Sequence, residues 1–430
     1  MPKISLPENV EYIINVLQAA GYEAYAVGGC VRDSILGNEP DDWDITTSAL
    51  PEQVKSLFSH TIDTGIRHGT VTIMMHGTGY EVTTYRIDGD YHDGRHPDSV
   101  AFTASLEEDL KRRDFTINAF VYNNKNGIID LFDGLSDLKN GIIRCVGNPH
   151  ERFTEDALRI LRALRFAARF SFSIEADTLK AAEDLSGRLS LVSAERIQCE
   201  LDKLLVSSNP DYILLLNSLS IDKTVLPELD DAVKKYGGET IKNALRAGKA
   251  GHRIRWAVLC HFLDASPDRG TVAILRRLKF DNRTIGTVSL FVRNAARALP
   301  CYRDFESDNR KCMITVRYLL HDIGYENMPD FLNFRKALDS AAGNNPAETA
   351  RNYTALENAC SEIIEAGQCT CLKELAINGR DLINSGFTGG EALGTLLEHL
   401  LDEVIRLPEQ NTRERLLELA ALSGINGGGN

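Results

Sequence analysis

The sequence has no long apolar run. No stretch approaches the roughly 18–20 apolar residues that a membrane-spanning helix needs. The first residues, Met1 to Ser5, lack the basic start and apolar core of a secretory signal peptide. We therefore expect a cytoplasmic protein with no membrane partner, and the sequence gives no sign of an obligate protein partner.

Clustered cysteines are also missing. Nine cysteines are scattered along the chain, and only Cys369 and Cys371 lie close together. A C-x-C pair without a second pair is poor evidence for a zinc site. Because disulfides are rare in the cytoplasm, we expect these thiols to be reduced.

The chain lacks an overall excess of positive charge. Its formal net charge is −13, whereas a nucleic-acid-binding domain is commonly basic. The basic residues are concentrated locally, however: residues 144–169 contain six arginines and three acidic residues, and Lys111-Arg112-Arg113 forms a second basic cluster. A basic patch on an acidic body would allow RNA binding while limiting non-specific contacts.

A length of 430 residues predicts two to four compact units. Apolar periodicity predicts a helix over residues 8–20, followed by short strands separated by glycine turns. These strands are predicted at residues 25–27, 44–46, 70–75, 80–85, 119–122 and 142–146. After Asn148-Pro149 the pattern is helical, with almost no strand alternation. The predicted fold is an α/β N-terminal head (a mixed sheet with helices) followed by an all-α neck, body and tail. The predicted ranges are 1–147 for the head, 148–207 for the neck, 208–300 for the body and 301–430 for the tail.

Two carboxylates lie close to a glycine turn. Gly28-Gly29 follows a short apolar strand and precedes a predicted helix, whose first N–H groups favour an anion. Asp42 and Asp44 follow within seventeen residues of the turn. Residues i and i+2 of an extended segment point to the same side, so the two carboxylates can hold a divalent metal ion together. A phosphate site beside a two-carboxylate metal site is what nucleotidyl transfer requires.

The string G-G-C-V-R-D-x-I-L-G-x-x-x-x-D-W-D-I-T-T, at residues 28–47, resembles the polymerase-beta-like nucleotidyltransferases. Within that superfamily it is similar to the class II branch of tRNA CCA-adding enzymes and bacterial poly(A) polymerases. The resemblance implies that Asp42 and Asp44 are catalytic and hold Mg²⁺, and that Gly29 and Arg32 bind the nucleotide triphosphate. A third acidic residue often completes the metal site of the superfamily, and Glu81 is the positional candidate here.

Two further segments extend the resemblance. The string R-R-D-F-T-I-N-A-F, at residues 112–120, is similar to the second motif of the family and implies that Arg113 contacts the nucleotide. Asp114 and Asn118 either position the sugar or cap local structure. The polar, glycine-bearing residues 88–97 match in position a flexible loop that the family associates with addition of the final A.

The segment E-D-x-x-R, at residues 155–159, begins an arginine-rich helix for which Thr154 is the predicted N-cap. In the family this motif selects the base, which implies that Asp156 accepts a hydrogen bond from the base and that Arg159 donates to it. Arg162 and Arg165, on the same broad face, would hold phosphates or orient the helix. A stabilising Glu155–Arg159 pair would be one explanation of this charged face. The helix carries more arginines than its stability requires, however, which favours a nucleotide partner.

The predicted function is template-independent addition of CCA to the 3′ end of tRNA from CTP and ATP, with release of pyrophosphate. An A-adding enzyme and a poly(A) polymerase remain alternatives, although the acidic C-terminal segment is unlike the basic extension typical of the latter. A non-catalytic RNA-binding protein is a third alternative. The presence of both Asp42 and Asp44 argues against it. His321-Asp322 suggests a phosphohydrolase only weakly, because His252 and His261 do not complete a convincing ligand set.

Overall fold

The computed structural model describes residues 4–89, 100–263 and 269–423. The chain forms two compact units: the first comprises Met1–Lys235 with Ile274–Phe280, and the second comprises Tyr236–Ala273 with Asp281–Asn430. Within the described ranges, no helix is both long and apolar enough to cross a bilayer. The ranges predicted above for head, neck, body and tail remain predictions.

The strands all lie in the first unit. They are β1 (Ala24–Val27), β2 (Ile45–Thr47), β3 (Thr61–Gly65), β4 (Thr70–Met75), β5 (Thr78–Thr84), β6 (Arg86–Asp88), β7 (Val100–Phe102), β8 (Phe120–Asn123), β9 (Gly127–Asp130), β10 (Ile142–Ile143) and β11 (Ser173–Ile174). Seven of them form one sheet in the order β3-β4-β5-β2-β1-β8-β9. The β2–β5 pair is parallel and the other pairs of this sheet are antiparallel. This mixed sheet confirms the predicted α/β class of the N-terminal part.

The helices fall into two groups along the chain. Those up to residue 236 are α1 (Glu8–Ala19), α2 (Gly29–Ile35), α3 (Pro51–Leu57), α4 (Leu106–Lys111), α5 (Gly134–Asn140), α6 (Pro149–Glu155), α7 (Leu158–Phe170), α8 (Ala176–Asp184), α9 (Ala194–Leu205), α10 (Leu215–Ser218), α11 (Asp222–Val225) and α12 (Glu228–Tyr236). Those that follow are α13 (Gly238–Ala247), α14 (His252–Leu263), α15 (Gly270–Arg277), α16 (Asn282–Arg293), α17 (Tyr302–Ser307), α18 (Asn309–Ile323), α19 (Met328–Ala341), α20 (Pro346–Glu365), α21 (Gly379–Asn384), α22 (Glu391–Arg406) and α23 (Arg413–Leu422). Beyond residue 148, the described elements are helical apart from the two-residue strand β11, which confirms the all-α prediction for that part.

The apolar period of α1 explains how the first helix covers the sheet. Its buried residues are Val10, Ile13, Ile14 and Leu17, which recur at the three- and four-residue spacing of one helix face. Five of the six predicted strands agree with the observed bounds within one or two residues. The sixth, predicted at residues 142–146, is shorter than expected because β10 ends at Ile143. Strands β3 and β9 of the seven-stranded sheet were not predicted. Strand β3 is largely exposed and therefore shows no alternation of apolar residues, and β9 has only four residues.

The start of the arginine-rich helix differs from the prediction. Thr154 is not its N-cap: α6 ends at Glu155, and α7 begins at Leu158. Between the two helices Asp156 has an extended backbone, with φ −141° and ψ 103°. Its carboxylate accepts a hydrogen bond from the Leu158 amide at 3.1 Å. Asp156 therefore lies in a break between two helices, where its own side chain satisfies an amide that a continuous helix would have paired.

Gly134 provides a test of how tightly the head is packed. A Cβ atom at Gly134 would lie 2.2 Å from the carbonyl oxygen of Thr116 and 2.9 Å from the Phe120 ring. We expect Gly134→Ala to lower the free energy of unfolding by about 1–3 kcal/mol, because the backbone must move to admit the methyl group. The measurement is the thermal unfolding midpoint followed by circular dichroism.

Gly286→Ala is the matched control for this substitution. Gly286 lies within helix α16, and a Cβ atom there would have no neighbour within 4 Å. The same change of residue should therefore raise the free energy of unfolding by about 0.5–1 kcal/mol through helix propensity. Similar shifts in both variants would contradict the close packing at Gly134.

Candidate active site

The glycine turn lies between β1 and α2, as the sequence predicted. Gly28 has a φ of +79°, a conformation that residues with a side chain rarely adopt. A Cβ atom at Gly28 would lie 3.2 Å from Nη1 of Arg113. The turn therefore needs glycine for its backbone conformation and because the Arg113 guanidinium lies directly over it.

Asp42 and Asp44 lie in the irregular segment that leads into β2. The carbonyl oxygen of Asp44 accepts a hydrogen bond from the Val27 amide at 3.0 Å, which continues the pairing of β2 with β1. The parallel register of β2 and β5 pairs Ile45 with Val82, so the preceding step brings Asp44 beside Glu81. The structure thus assembles the predicted carboxylates at one end of two neighbouring strands, next to the glycine turn.

The electrostatics of Asp44 show that this end of the sheet has an excess of negative charge. Asp44 is exposed overall, but partial desolvation of its carboxylate, the charge of Asp42 and the charge of Glu81 raise its pKa to about 6, against the opposing effect of Arg113. A divalent cation would relieve this repulsion, and carboxylate oxygens suit hard cations. In the described part of the chain, no three His, Cys, Asp or Glu side chains are grouped closely enough to hold a metal ion. Asp42 and Asp44 by themselves would offer two carboxylates to a cation.

Asp114 lies in the interior, with its carboxylate fully engaged. One oxygen accepts hydrogen bonds from the Phe115 amide at 2.8 Å and from Asn118 at 3.0 Å. The other accepts from Nε and Nη2 of Arg162 at 2.9 and 2.6 Å. Burial alone would raise the pKa of Asp114, but the Arg162 charge and these hydrogen bonds outweigh it and hold the pKa well below its usual range. Asp114 thus joins the segment after α4 to helix α7.

Asp156 is held from a neighbouring helix. Arg196, on α9, donates to both oxygens of the Asp156 carboxylate, at 3.3 and 2.7 Å. Together with the hydrogen bond from the Leu158 amide, three contacts orient the carboxylate. Because Arg196 lies forty residues further along the chain, the local sequence around Asp156 gave no sign of this contact.

The Arg159 guanidinium is held by the Glu155 carboxylate and by two backbone carbonyl oxygens. Its Nη1 donates to Glu155 at 2.6 Å and to the carbonyl oxygen of Arg152 at 3.2 Å. Its Nη2 donates to the carbonyl oxygen of Arg112 at 2.8 Å. The Glu155–Arg159 pair considered from the sequence is therefore present, and the guanidinium has a defined orientation.

The remaining arginines of α7 also have acidic partners, which the sequence argument did not anticipate. These ion pairs are Arg162–Asp114 at 2.6 Å, Arg165–Glu200 at 2.5 Å and Arg169–Asp33 at 3.2 Å. The prediction that the arginines exceed what helix stability requires was wrong. Their carboxylate partners come from other elements of the fold, and only the acids near α7 in the sequence suggested a partner beforehand. Arg165 is buried against Glu200, so it orients the helix rather than facing solvent.

Arg32 does not present a free guanidinium. Its side chain is only 4% exposed. The guanidinium donates to Asp33 at 2.8 Å and to Asn118 at 2.5 Å. By contrast, the Arg113 side chain remains 20% exposed, and its Nη2 forms an ion pair with Asp109 at 3.6 Å. Arg113 is thus more accessible to a nucleotide than Arg32. Residues 90–97 of the predicted flexible loop lie outside the described residues.

Family models match three consecutive parts of the chain. Residues 24–144 match the poly A polymerase head domain. Residues 171–233 match a domain described as "Probable RNA and SrmB-binding site of polymerase A". Residues 252–420 match tRNA nucleotidyltransferase domain 2.

Relatives of known name match over nearly the whole length. The CCA-adding enzyme of Leuconostoc mesenteroides is 39% identical over 393 residues, which cover 90% of this chain and 89% of that protein. The CCA-adding enzyme of Lactiplantibacillus plantarum is 37% identical over 95% of both chains. Among solved structures, the CCA-adding enzyme of Bacillus stearothermophilus in complex with CTP superimposes with a TM-score of 0.78 at 32% identity, covering 97% of this chain and 98% of that one. The Thermotoga maritima CCA-adding enzyme complexed with tRNA shares the fold, with a TM-score of 0.64 at 23% identity over 98% and 97% of the two chains.

These relatives are of one kind, and each of them covers almost the entire chain. The chain belongs to the class II CCA-adding enzymes of the tRNA nucleotidyltransferase and poly(A) polymerase family.

Proposed function

We propose that this protein adds C, C and A to the 3′ end of tRNA from CTP and ATP, releasing pyrophosphate and using no nucleic-acid template. The observation that carries this proposal is the set of hydrogen-bonding groups that Asp156 and Arg159 leave unused. The CTP bound to the Bacillus stearothermophilus relative supports a nucleotide substrate of the same kind. A cytoplasmic location remains a prediction.

The unused groups match the bases of CTP and ATP. Arginine has five N–H groups, and Arg159 donates three of them within the protein, so two have no partner among the described residues. Asp156 accepts three hydrogen bonds, which leaves about one of its four acceptor positions. Cytosine and adenine each offer an amino group to a carboxylate and at least one ring acceptor to a guanidinium. Uracil and guanine carry a carbonyl oxygen where the amino group stands, so Asp156 would repel them.

The phosphate end of the nucleotide would lie at the glycine turn. A Cβ atom at Gly29 would meet only Nη2 of Arg32, at 3.7 Å, so this backbone is open to close approach by a ligand. Arg113, which lies over the turn, supplies a planar cation suited to phosphate oxygens. Gly29 and Arg113 would hold the triphosphate from two sides.

Asp42 and Asp44 would hold Mg²⁺ at the reacting end. Desolvation is the main cause of the raised pKa of Asp44, and the negative charges of Asp42 and Glu81 add to it. Those neighbouring charges would favour a divalent cation. The chemistry that Mg²⁺ supplies when bound is a lower pKa for the attacking 3′-hydroxyl and neutralisation of charge on the departing pyrophosphate. The role of the protein is positioning: the 3′-oxygen attacks the α-phosphorus in line as the bond to pyrophosphate breaks, which requires both ends of the nucleotide to be fixed.

The test of the proposed function uses purified protein, Mg²⁺ and tRNA transcripts ending at the discriminator base, at CC and at CCA. Each transcript is incubated with CTP, ATP or both, and product lengths are resolved on a sequencing gel. Three additions followed by a stop are expected from the first transcript with both nucleotides. Addition of A to the CC end alone would indicate an A-adding enzyme, and long A ladders would indicate a poly(A) polymerase.

The carboxylate pair leads to a first prediction on activity. Asp42→Asn and Asp44→Asn should each lower the rate of nucleotide addition by at least about 10³-fold, because several kcal/mol of transition-state stabilisation depend on the metal site. The measurement is single-turnover addition of C, with the thermal unfolding midpoint as a check that the fold is retained.

Asp41→Asn is the matched control, since Asp41 is an exposed acid adjacent to Asp42 in the same segment. It removes one negative charge at the same place and should leave the rate unchanged. Turnover close to that of the wild type in either Asp42→Asn or Asp44→Asn would show that the metal site lies elsewhere.

The base-reading pair leads to a second prediction. Asp156→Ala should reduce the preference for CTP over UTP by about 10- to 100-fold, the discrimination of one good base contact. The substitution should change the preference among nucleotides more than it changes the Mg²⁺ concentration required for activity. The reason is that Asp156 is not one of the two carboxylates, Asp42 and Asp44, that would hold the metal. Relative kcat/KM values for the four nucleotides measure this preference, and Asp177→Ala, an exposed acid on α8, serves as the control. Unchanged discrimination among the four nucleotides would refute the role of Asp156.

A further inference from the structure

A buried arginine joins the glycine turn to helix α7, which carries Arg159 of the proposed base-reading pair. Arg32 lies on α2, immediately after the turn, and its guanidinium lies against two rings of α7. The distance from Cζ to the ring centroid is 5.1 Å for Phe166 and 4.8 Å for Phe170. Both contacts are within the range in which a guanidinium is attracted to an aromatic face.

The two rings form an ordered pair. Phe166 and Phe170 are one helical turn apart, and their ring planes are parallel to within 6°, with centroids 6.0 Å apart. Phe166 is also fixed by an edge contact with Phe115, at 5.8 Å. Phe170 is half-buried at the end of α7, so a smaller side chain there is compatible with the fold.

The hydrogen bonds of the Arg32 guanidinium go to protein groups, Asp33 and Asn118. Nε and Nη2 both lie 2.8 Å from one oxygen of Asp33, and Nη1 donates to Asn118. Asp33 in turn accepts from Arg169 of α7 at 3.2 Å. Asn118 donates to Asp114, which holds α7 through its own ion pair. The Arg32 guanidinium thus lies over two rings of α7, while its N–H groups are bonded to α2 and to the segment after α4.

We propose that Phe166, Phe170 and Arg32 form a clamp that fixes the phosphate-binding turn relative to the base-reading helix. Arg32 and Phe170 are positioning residues in this arrangement, and Arg32 is not a ligand of the triphosphate. The inference rests on the proposed function, in which Gly29 and Arg113 bind phosphates while Asp156 and Arg159 bind the base. A nucleotide that spans both sites needs them at a fixed separation, and errors of about 1 Å in such geometry cost up to two orders of magnitude in rate.

The experiment removes the ring at position 170 and compares ligands that span the site with one that does not. Phe170 also lies under the Arg169 guanidinium, at 5.1 Å, so the substitution removes two cation–π contacts, of which only that with Arg32 holds the turn. In Phe170→Leu, the KM for CTP and for ATP should rise about three- to thirty-fold through the loss of the partly desolvated contact with Arg32. Inhibition by pyrophosphate, which engages the phosphate end alone, should stay at the wild-type level. The preference for CTP over UTP should also be unchanged, because Asp156 and Arg159 keep their own contacts.

Three further variants complete the test. Phe170→Tyr keeps the aromatic face and should restore the wild-type KM. Phe170→Met keeps an apolar side chain of similar size without a π face, and it should reproduce the rise in KM even if Phe170→Leu unfolds more easily. Phe172→Leu removes a ring 5.5 Å from Phe170 for which no stacking with Arg32 is observed, and it should leave the KM unchanged.

Each outcome separates the possible explanations. Equal effects of Phe170→Leu and Phe172→Leu would refute the clamp and leave simple packing. If pyrophosphate inhibited Phe170→Leu more weakly than the wild type, by the same factor as the rise in KM for CTP, Arg32 would be a phosphate ligand. That result would refute the positioning role. Failure of the wild-type protein to extend tRNA would refute the proposed function itself, and with it the role of the clamp in binding nucleotides.

Discussion

The ion pair between Asp114 and Arg162 is the contact on which the geometry of the active site depends. A buried carboxylate stays ionised only when its charge and lone pairs are compensated. Asp114 receives that compensation from a backbone amide, from Asn118 and from two nitrogens of Arg162. Asn118 also bonds Arg32, so the same network extends from helix α7 to the glycine turn. The glycine turn and helix α7, which carries Arg159, are therefore joined by one polar network within the first unit.

Most of the arginines in this site serve the protein rather than the ligand. Glu155, Glu200 and Asp33 neutralise arginines of α7, and the net charge of the helix says little about what it binds. The groups that would remain for a nucleotide are few: a carboxylate position of Asp156, two N–H groups of Arg159 and the exposed part of Arg113, which also pairs with Asp109. Because these groups are already oriented by their other contacts, little ordering is needed when a nucleotide binds. Discrimination between bases would then come from the order of donors and acceptors and not from overall attraction.

The sequence predicted what depends on local pattern and missed what depends on distant partners. The helix at residues 8–20, the α/β head and the helical remainder follow from apolar periodicity, and the glycine turn beside Asp42 and Asp44 follows from spacing. The family resemblance, carried by short strings of residues, was confirmed over the whole chain. The break at Asp156 was missed because a regular period continues through it, and Arg196, Glu200 and Phe170 lie too far from their partners for any local signal. The role of each predicted site residue stays a prediction, to be decided by the variants described above.

The burial of these ion pairs means that two properties of the protein should respond differently to ionic strength. At physiological salt the Debye length is about 8 Å, and screening acts mainly on charges that face solvent. Pairs such as Arg165–Glu200, less than 10% exposed on both sides, are largely shielded from added ions, so the shape of the nucleotide site should persist at high salt. Binding of a polyanionic RNA releases counterions and weakens steeply as salt rises. Salt therefore offers a way to detach the RNA substrate while the nucleotide site keeps its form, so that binding of a single nucleotide can be observed on its own.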